Sequence, residues 1–518
     1  MTSPSVPATA GHADDVTWRR LSNRMLLVHP VQELIRALPA LAGLLIAGTS
    51  GGQGPLWSLA GVAVVTGLGL LRWFTTTYRI GPERVELRRG LLRRRVLSVP
   101  RDRIRTVDVT AHAMHRLLGL AKVTVGTGRS DRKDDSGIKL DGLSAAAAAS
   151  LREELLHWRG ARPAAAGTPG AAGAPDLAKA AEVETELARF RPEWVRYAPF
   201  TLSGLVTIGI LAGFSGHLLS QAHLHPGRFG PLRDAADRVR EAPLPVAIAQ
   251  VVVGLAVAIA VLSTIGYLLA FANFRLTRHS GGTLHVSRGL ITTRATSIEE
   301  RRLRGVELNE PLLLRLVRGG RCQAITTGLR VGRGSGGTLL LPPAARTEAE
   351  RVAVAVLGTA EPLACPLTPH GPAARQRRYT RALAGAALLV AAVLALAWLV
   401  GLPAWVWVGS FAAPPVAALL AADRYRALGH AMVGGRLVSR RGSIVRRRSV
   451  LACDGIIGWN LRRSFFQRRA GLATLTATTA AGAQRYDVPD VPDGEALRLA
   501  DAALPGLLTP FLADIPQS

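Results

Sequence analysis

Two hydrophobic patterns alternate along this chain. The first is the long uncharged run, found at residues 37–48, 55–71, 197–219, 243–271, 382–400 and 403–422. Most approach or exceed the ~20 apolar residues that a bilayer-crossing helix needs, and the run at 37–48 is the shortest. The second pattern is period-two alternation, as in Val85-Glu-Leu87 or Val123-Thr-Val125, punctuated by glycine-bearing turns. It predicts half-buried strands over 77–158, 273–358 and 424–510. Each of these stretches closes on a helical segment, at 143–158, 347–357 and 495–504. Asp141 or Ser144 is placed to cap the first.

The alternating stretches are three copies of one unit. Residues 85–99, 284–298 and 436–451 each read as strand, Arg-Gly turn, strand, with the turns at Arg89-Gly90, Arg288-Gly289 and Arg441-Gly442. Glycine suits the positive φ of a tight hairpin. The equivalence continues downstream through Ile104, Leu303 and Ile456, then Val107, Val306 and Trp459. Gly119-Leu-Ala and Gly471-Leu-Ala open near-identical strands, and the second copy offers Gly319 or Gly320 at that place, with a slip of one residue. A shared order of features at a fixed period marks a repeat.

The fold class expected is membrane α + β, with six transmembrane helices in three hairpins alternating with three β modules, each capped by a C-terminal helix. The boundaries are a disordered, basic N-terminal segment (1–33), a helix pair (34–72), module 1 (77–158) and an Ala/Pro/Gly-rich linker (159–195). A helix pair with an external loop (196–271), module 2 (273–358), a linker (359–380), a third helix pair (381–422) and module 3 (424–510) follow. Adjacent Pro414 and Pro415 predict a kink in the sixth helix.

Charge assigns the sides. The chain carries a formal net charge of +28, nearly all from arginine. Residues 72–160 hold 19 Arg/Lys against 10 Asp/Glu, 272–379 hold 17 against 7, and 423–518 hold 14 against 8, whereas 216–243 hold 4 against 3. An even number of spans precedes each module, so the positive-inside rule places the N-terminus and all three modules in the cytoplasm of a multi-pass plasma-membrane protein. No cleavable signal peptide is visible at the start.

Enzyme chemistry is not in view. No Gly-x-Ser-x-Gly elbow with partners and no His-Glu-x-x-His occurs. Gly332–Gly337 lacks the Lys-Ser/Thr ending of a phosphate loop and reads as a hairpin turn, as does 126–137 with Asp131, Asp134 and Asp135. His217, His223 and His225 have no acidic or cysteine partner at ligand spacing, and the His112–His115 pair reads as structural. Cys322, Cys365 and Cys453 lie too far apart for a metal motif and read as buried or incidental thiols. No catalytic residue, cofactor or metal is expected. The functional signal is arginine: Arg93, Arg94 and Arg95; Arg301 and Arg302; Arg446, Arg447 and Arg448. Beside a bilayer each such side chain contributes ~1 kcal/mol of attraction to anionic lipid. Strand alternation lets only part of each cluster face lipid, and the competing reading is topogenic charge on a solvated face. Few aromatics interleave the arginines, so nucleic acid is not an expected partner.

Tyr78-Arg79-Ile80, Gly90, Ile104, Leu117 and Gly119-Leu120-Ala121, with Tyr425-Arg426, Gly442, Ile456 and Gly471-Leu472-Ala473, resemble the bacterial pleckstrin-homology (PH) domains, and the alternation with helix pairs looks like the YdbS/YdbT type of membrane protein. Module 2 departs most, beginning Phe274-Arg275 and lacking Gly-Leu-Ala. The resemblance implies a small bent antiparallel barrel with a C-terminal helix in each module. It implies no established activity, and a link to envelope maintenance or stress is a suggestion at the level of the family. The basic hairpins beside the spans motivate the reading of a non-enzymatic membrane-surface scaffold that binds anionic inner-leaflet lipid or a protein. A second PH-like membrane protein is a candidate partner. The alternative is a transporter of lipid or drug regulated by its modules, for which the kinked sixth helix is the only support.

Overall fold

The structure is a computed structural model. It describes residues 18–25, 74–126 with breaks at 82, 91–94, 102–103 and 105, 138–157, 184–201, and 241–506 apart from 328–337, with a few isolated positions besides. The chain divides into two compact units, residues 1–172 and 173–518.

In the first unit, strands β1 (Arg19–Arg20), β2 (Thr77–Ile80), β3 (Arg84–Arg89) and β4 (Arg95–Pro100) form an antiparallel sheet in chain order. β5 (Thr106–Ala111), β6 (Leu120–Gly126) and β7 (Ile138–Ser144) pair in series, with the short helix α1 (Ala113–Leu117) between β5 and β6. Alternation decides the faces: Val85 and Leu87 on β3, and Val123 and Val125 on β6, are buried in one core with Ile138 and Leu140. Helix α2 (Ala145–His157) closes the unit. Its cap is Ser144, whose Oγ accepts from Ala147 N at 3.1 Å, while Asp141 pairs with His115 at 3.3 Å and Lys122 at 3.2 Å. The N-terminal segment expected to be disordered is ordered at 18–25. Arg19 and Arg20 pair with β2, Leu21 and Met25 are buried, and the Arg88 guanidinium stacks 3.7 Å over the Trp18 ring.

The second unit begins with β8 (Thr185–Arg189), inside the stretch read as a linker, because it completes an edge by pairing with β9 (Arg275–His279). Helix α3 (Leu244–Phe271) leads into β9, and β10 (Thr283–Arg288) and β11 (Thr293–Glu299) follow. Then come β12 (Leu303–Pro311), α4 (Leu312–Leu316), β13 (Gly319–Thr326), β14 (Leu339–Ala345) and α5 (Arg346–Leu357). After α6 (Glu361–Ala364), helix α7 (Gly371–Val400) starts some ten residues before its apolar run. The second linker is therefore largely helical, and it carries arginines on the foot of α7. Next are α8 (Ala404–Ser410) and α9 (Ala413–Arg426). The expected kink is a break at Phe411-Ala412, and Pro414 sits in the first turn of the new helix, where its missing N–H costs nothing. Module 3 comprises β15 (Gly429–Val433), β16 (Arg436–Arg441), β17 (Val445–Ala452), β18 (Ile456–Arg462), α10 (Phe465–Arg469), β19 (Leu472–Thr479), β20 (Arg485–Pro492) and α11 (Asp493–Ala503).

Three described helical stretches, 245–271, 371–400 and 404–426, are long and apolar enough to cross a membrane. Six were expected. The runs at 37–48 and 55–71, and most of 197–219, lie outside the described residues. Where the third run begins, Pro192–Thr201 is a 3-10 helix with Trp194, Tyr197 and Ala198 buried.

The expectation of closed barrels is corrected. In this unit a six-stranded antiparallel sheet runs β14-β13-β12-β17-β16-β15, crossing from module 2 to module 3, and β18-β19-β20 form a separate sheet. β12 turns its outer edge to β17 through seven residue pairs, from Gly305↔Leu451 to Pro311↔Val445. Gly305 makes this possible. It has φ +152, and a Cβ there would meet the Val450 carbonyl oxygen at 1.8 Å. The three hairpin glycines adopt the predicted geometry, with φ of 102, 105 and 98° at Gly90, Gly289 and Gly442. The slip proposed at Gly319 or Gly320 is absent. Arg318 occupies the position of Gly119 and Gly471 and takes the same left-handed conformation, φ 56° against 66° and 60°.

Candidate functional site

The arginines gather where α7 and α9 meet module 3. A cavity of about 880 Å³ is lined by Arg377, Arg378 and Arg381 from the foot of α7, Arg424 from the end of α9, Arg441 and Arg447 from the β16–β17 hairpin, and Arg462 from β18. Asp487 and Asp490 are the carboxylates in its wall. Seven guanidinium groups against two carboxylates leave a surplus of five positive charges.

The helix geometry explains the convergence. Arg377, Arg378 and Arg381 lie within the first three turns of α7, at i, i+1 and i+4, before the charge-free run that begins at Ala382. Positions four apart share a helix face. Arg424 follows the apolar part of α9 in the same way. The cavity thus lies at the boundary between the apolar helix surface and the β module.

Two carboxylates organise the wall. Asp490 is 1 % exposed and sits at φ 60°, and it binds Arg377 and, at 2.6 Å, Arg378. Gln467 adds a third contact, donating from Nε2 to Asp490 Oδ1 at 2.9 Å and to Thr474 Oγ1 at 2.9 Å. Gln467 is itself fixed by a capping box with Ser464 at the start of α10. Asp487 binds Arg441 and accepts from Thr476 Oγ1 at 2.9 Å. The remaining lining arginines, Arg381, Arg424, Arg447 and Arg462, are exposed. Beside them Phe465, Phe466 and Ile444 are exposed apolar side chains, at 59, 70 and 60 %.

Below the cavity two histidines are buried together. His430 Nδ1 lies 3.1 Å from His370 Nε2, and His370 Nδ1 lies 2.9 Å from the Pro489 carbonyl oxygen. Burial, reinforced by the neighbouring His430, pulls the His370 pKa down to about 4. Burial also lowers that of His430, against the pull of Glu495.

The residues singled out in the sequence scatter. Arg447 lines the cavity. Arg446 is paired with Asp423 at 3.1 Å, and burial followed by the Arg315 charge lowers its pKa. Arg448 donates to the Pro362 carbonyl at 2.9 Å. Arg301 and Arg302 both bind Glu299, at 2.7 and 3.0 Å. Arg95 lies on β4, and Arg93 and Arg94 fall outside the described residues, as do His217, His223, His225 and the turn at 332–337. Sequence reasoning gave the α7 and α9 arginines no role of their own and counted them only toward the positive charge that assigns the sides. It did not find Asp490 or Gln467, whose partners lie far away in the chain. Cys322 and Cys453 are buried and Cys365 is half-buried, and burial pushes the Cys322 thiol up to about 12. Among the described residues no group of three metal-ligating side chains occurs.

The repeated module has a name beyond this chain. The model of the bacterial PH domain matches residues 33–158, 238–361 and 378–503, together more than half of the sequence. The chain belongs to the bacterial PH domain family. Each match starts within or beside an apolar run and ends at or soon after the closing helix of a module, so each repeat includes helix and β module together. The matches speak to the domain and not to the YdbS/YdbT type. Neither the curated proteins nor the solved structures gave a match.

Proposed function

We propose that this chain is a non-enzymatic scaffold of the bacterial plasma membrane, its bacterial PH modules on the cytoplasmic side, and that module 3 holds an anionic lipid headgroup in the arginine cavity. The observation that carries the reading is the origin of the arginines. They come from the feet of two membrane-length helical stretches, 371–400 and 404–426, from the adjoining hairpin and from the end of β18, so a headgroup at the membrane surface is within reach of all of them. Exposed arginines next to Phe465, Phe466 and Ile444 are the combination expected at a lipid interface, where aromatic and aliphatic tips enter the acyl boundary and cations meet phosphate. Guanidinium forks match phosphate oxygens better than ammonium groups do.

The test is lipid retention. The full-length protein is purified in mild detergent from a membrane mimic containing equal phosphatidylglycerol and phosphatidylcholine, and bound lipid is counted by native mass spectrometry. Preferential retention of phosphatidylglycerol is expected. An Arg381→Gln, Arg447→Gln variant weakens that preference by about tenfold or more, since each basic residue at the surface contributes ~1 kcal/mol. Release by millimolar inorganic phosphate would show that the phosphate group alone is recognised. Equal retention of both lipids by the wild-type chain sinks the proposal.

A further inference from the structure

The β12–β17 pairing leaves a rule that the third repeat keeps without using. In module 2, β12 carries a bulge between Leu303 and Gly305, then presents Gly305 so that β17 can approach. In module 3, β18 is the equivalent strand. It carries the same bulge, between Ile456 and Gly458, and the same glycine, Gly458. β18 ends its sheet, and no atom lies within 4 Å of where a Cβ on Gly458 would stand. The docking geometry is present, and among the described residues its outer edge is unpaired. An open edge with a row of backbone donors and acceptors is a template for another strand.

We propose that the outer edge of β18 receives a β-hairpin from a different bacterial-PH-type chain, one whose docking strand carries carboxylates. The occupant is argued from charge. In the internal pairing, Asn309 and Glu310 of β12 face Arg447 and Arg446 of β17. On β18 those two positions are Arg462, which is exposed, and Arg463, which pairs with Asp493 at 3.2 Å, so the charge that selects the incoming strand is chiefly that of Arg462 and the strand must present the opposite sign there. A second copy of this chain does not. Its corresponding strand is β4, which also ends its sheet, and by repeat position it would set Arg95 against Arg462. Like charges directly opposite are destabilising in a sheet. The glycine invites a strand while the arginines reject the chain's own, which makes the edge selective for a partner.

The probe is a synthetic hairpin of residues 435–453 of this chain carrying Arg446→Glu and Arg447→Glu, compared with the unsubstituted hairpin. Binding to the full-length protein in detergent is followed by fluorescence anisotropy and localised by hydrogen exchange. The acidic hairpin is expected to bind roughly three- to tenfold more tightly, the effect of one or two cross-strand charge pairs, and to protect amides 457–463. Arg462→Glu should reverse the preference. Gly458→Val should abolish binding without changing the melting temperature of the free protein, since its side chain has open space until a strand arrives. If neither hairpin protects 457–463, or both bind equally, the proposal falls. If the wild-type chain alone protects 457–463 with rising concentration, the occupant is a second copy and the proposal falls as well.

Discussion

His430 Nδ1 and His370 Nε2 lie 3.1 Å apart inside the joint between α7 and β15. One ring nitrogen of the pair must be an acceptor, so the contact requires at least one neutral imidazole. With His370 held near 4 in the folded chain and an unfolded value near 6.5, the unfolded state takes up a proton first as pH falls. The stability from the neutral pair is complete above about pH 6.5 and is lost progressively toward pH 4. The melting temperature should therefore fall from pH 7.5 to pH 5, and His370→Gln should flatten that slope. A slope unchanged by the substitution refutes the assignment.

Gly305→Ala should separate the modules. The new methyl would overlap the Val450 carbonyl oxygen, and the backbone at φ +152 disfavours any side chain. A loss of about 2 kcal/mol or more is expected, in the range of strained backbone positions. Denaturant melts would give the size, and faster exchange at Val306–Glu310 and at 445–451 would place it.

Arg318→Gly should do the reverse. Arg318 holds the left-handed conformation that its two repeat partners give to glycine. Relief of that strain, about 1–2 kcal/mol, outweighs the extra freedom of glycine in the unfolded chain. A net gain of about 0.5 kcal/mol should appear as a small rise in melting temperature, and a fall would contradict the strain argument.

Asp490→Asn probes the cavity from within. Asparagine tolerates the left-handed backbone at this position, but Arg377 and Arg378 lose a buried counterion. Breaking a buried pair on one side typically costs about 3 kcal/mol. Phosphatidylglycerol retention should nevertheless rise, because the wall then carries one more uncompensated positive charge. Lower stability with unchanged or lower anion retention would show that the carboxylate shapes the cavity rather than tuning its charge.

The sequence disclosed what is local. Period-two alternation, the Arg-Gly hairpins and the closing helices were legible because each depends on neighbours a few residues apart. The repeat aligned Leu303 with Ile456 and Val306 with Trp459, but it did not single out Gly305 and Gly458 between them, since the strand that Gly305 admits lies far downstream. The arginine clusters were visible as charge, yet their division was not. Arg446, Arg447 and Arg448 are adjacent in sequence, and their side chains respectively reach Asp423, the cavity and the Pro362 carbonyl. Asp490 showed no signal of its own, because an isolated aspartate in a strand becomes informative only when two arginines from another element arrive.

The shared sheet also sets an order of biosynthesis. β12 leaves the ribosome long before β17, and α7, α8 and α9 emerge in between. Its outer edge must stay bare while those apolar segments are made, and only then can the downstream hairpin close it. Non-local pairing of this kind is slow and leaves sticky intermediates. Completion of the preceding module therefore waits on synthesis of the apolar helices, and a chain stalled or clipped between α5 and α7 would present an unfinished strand to whatever lies nearby.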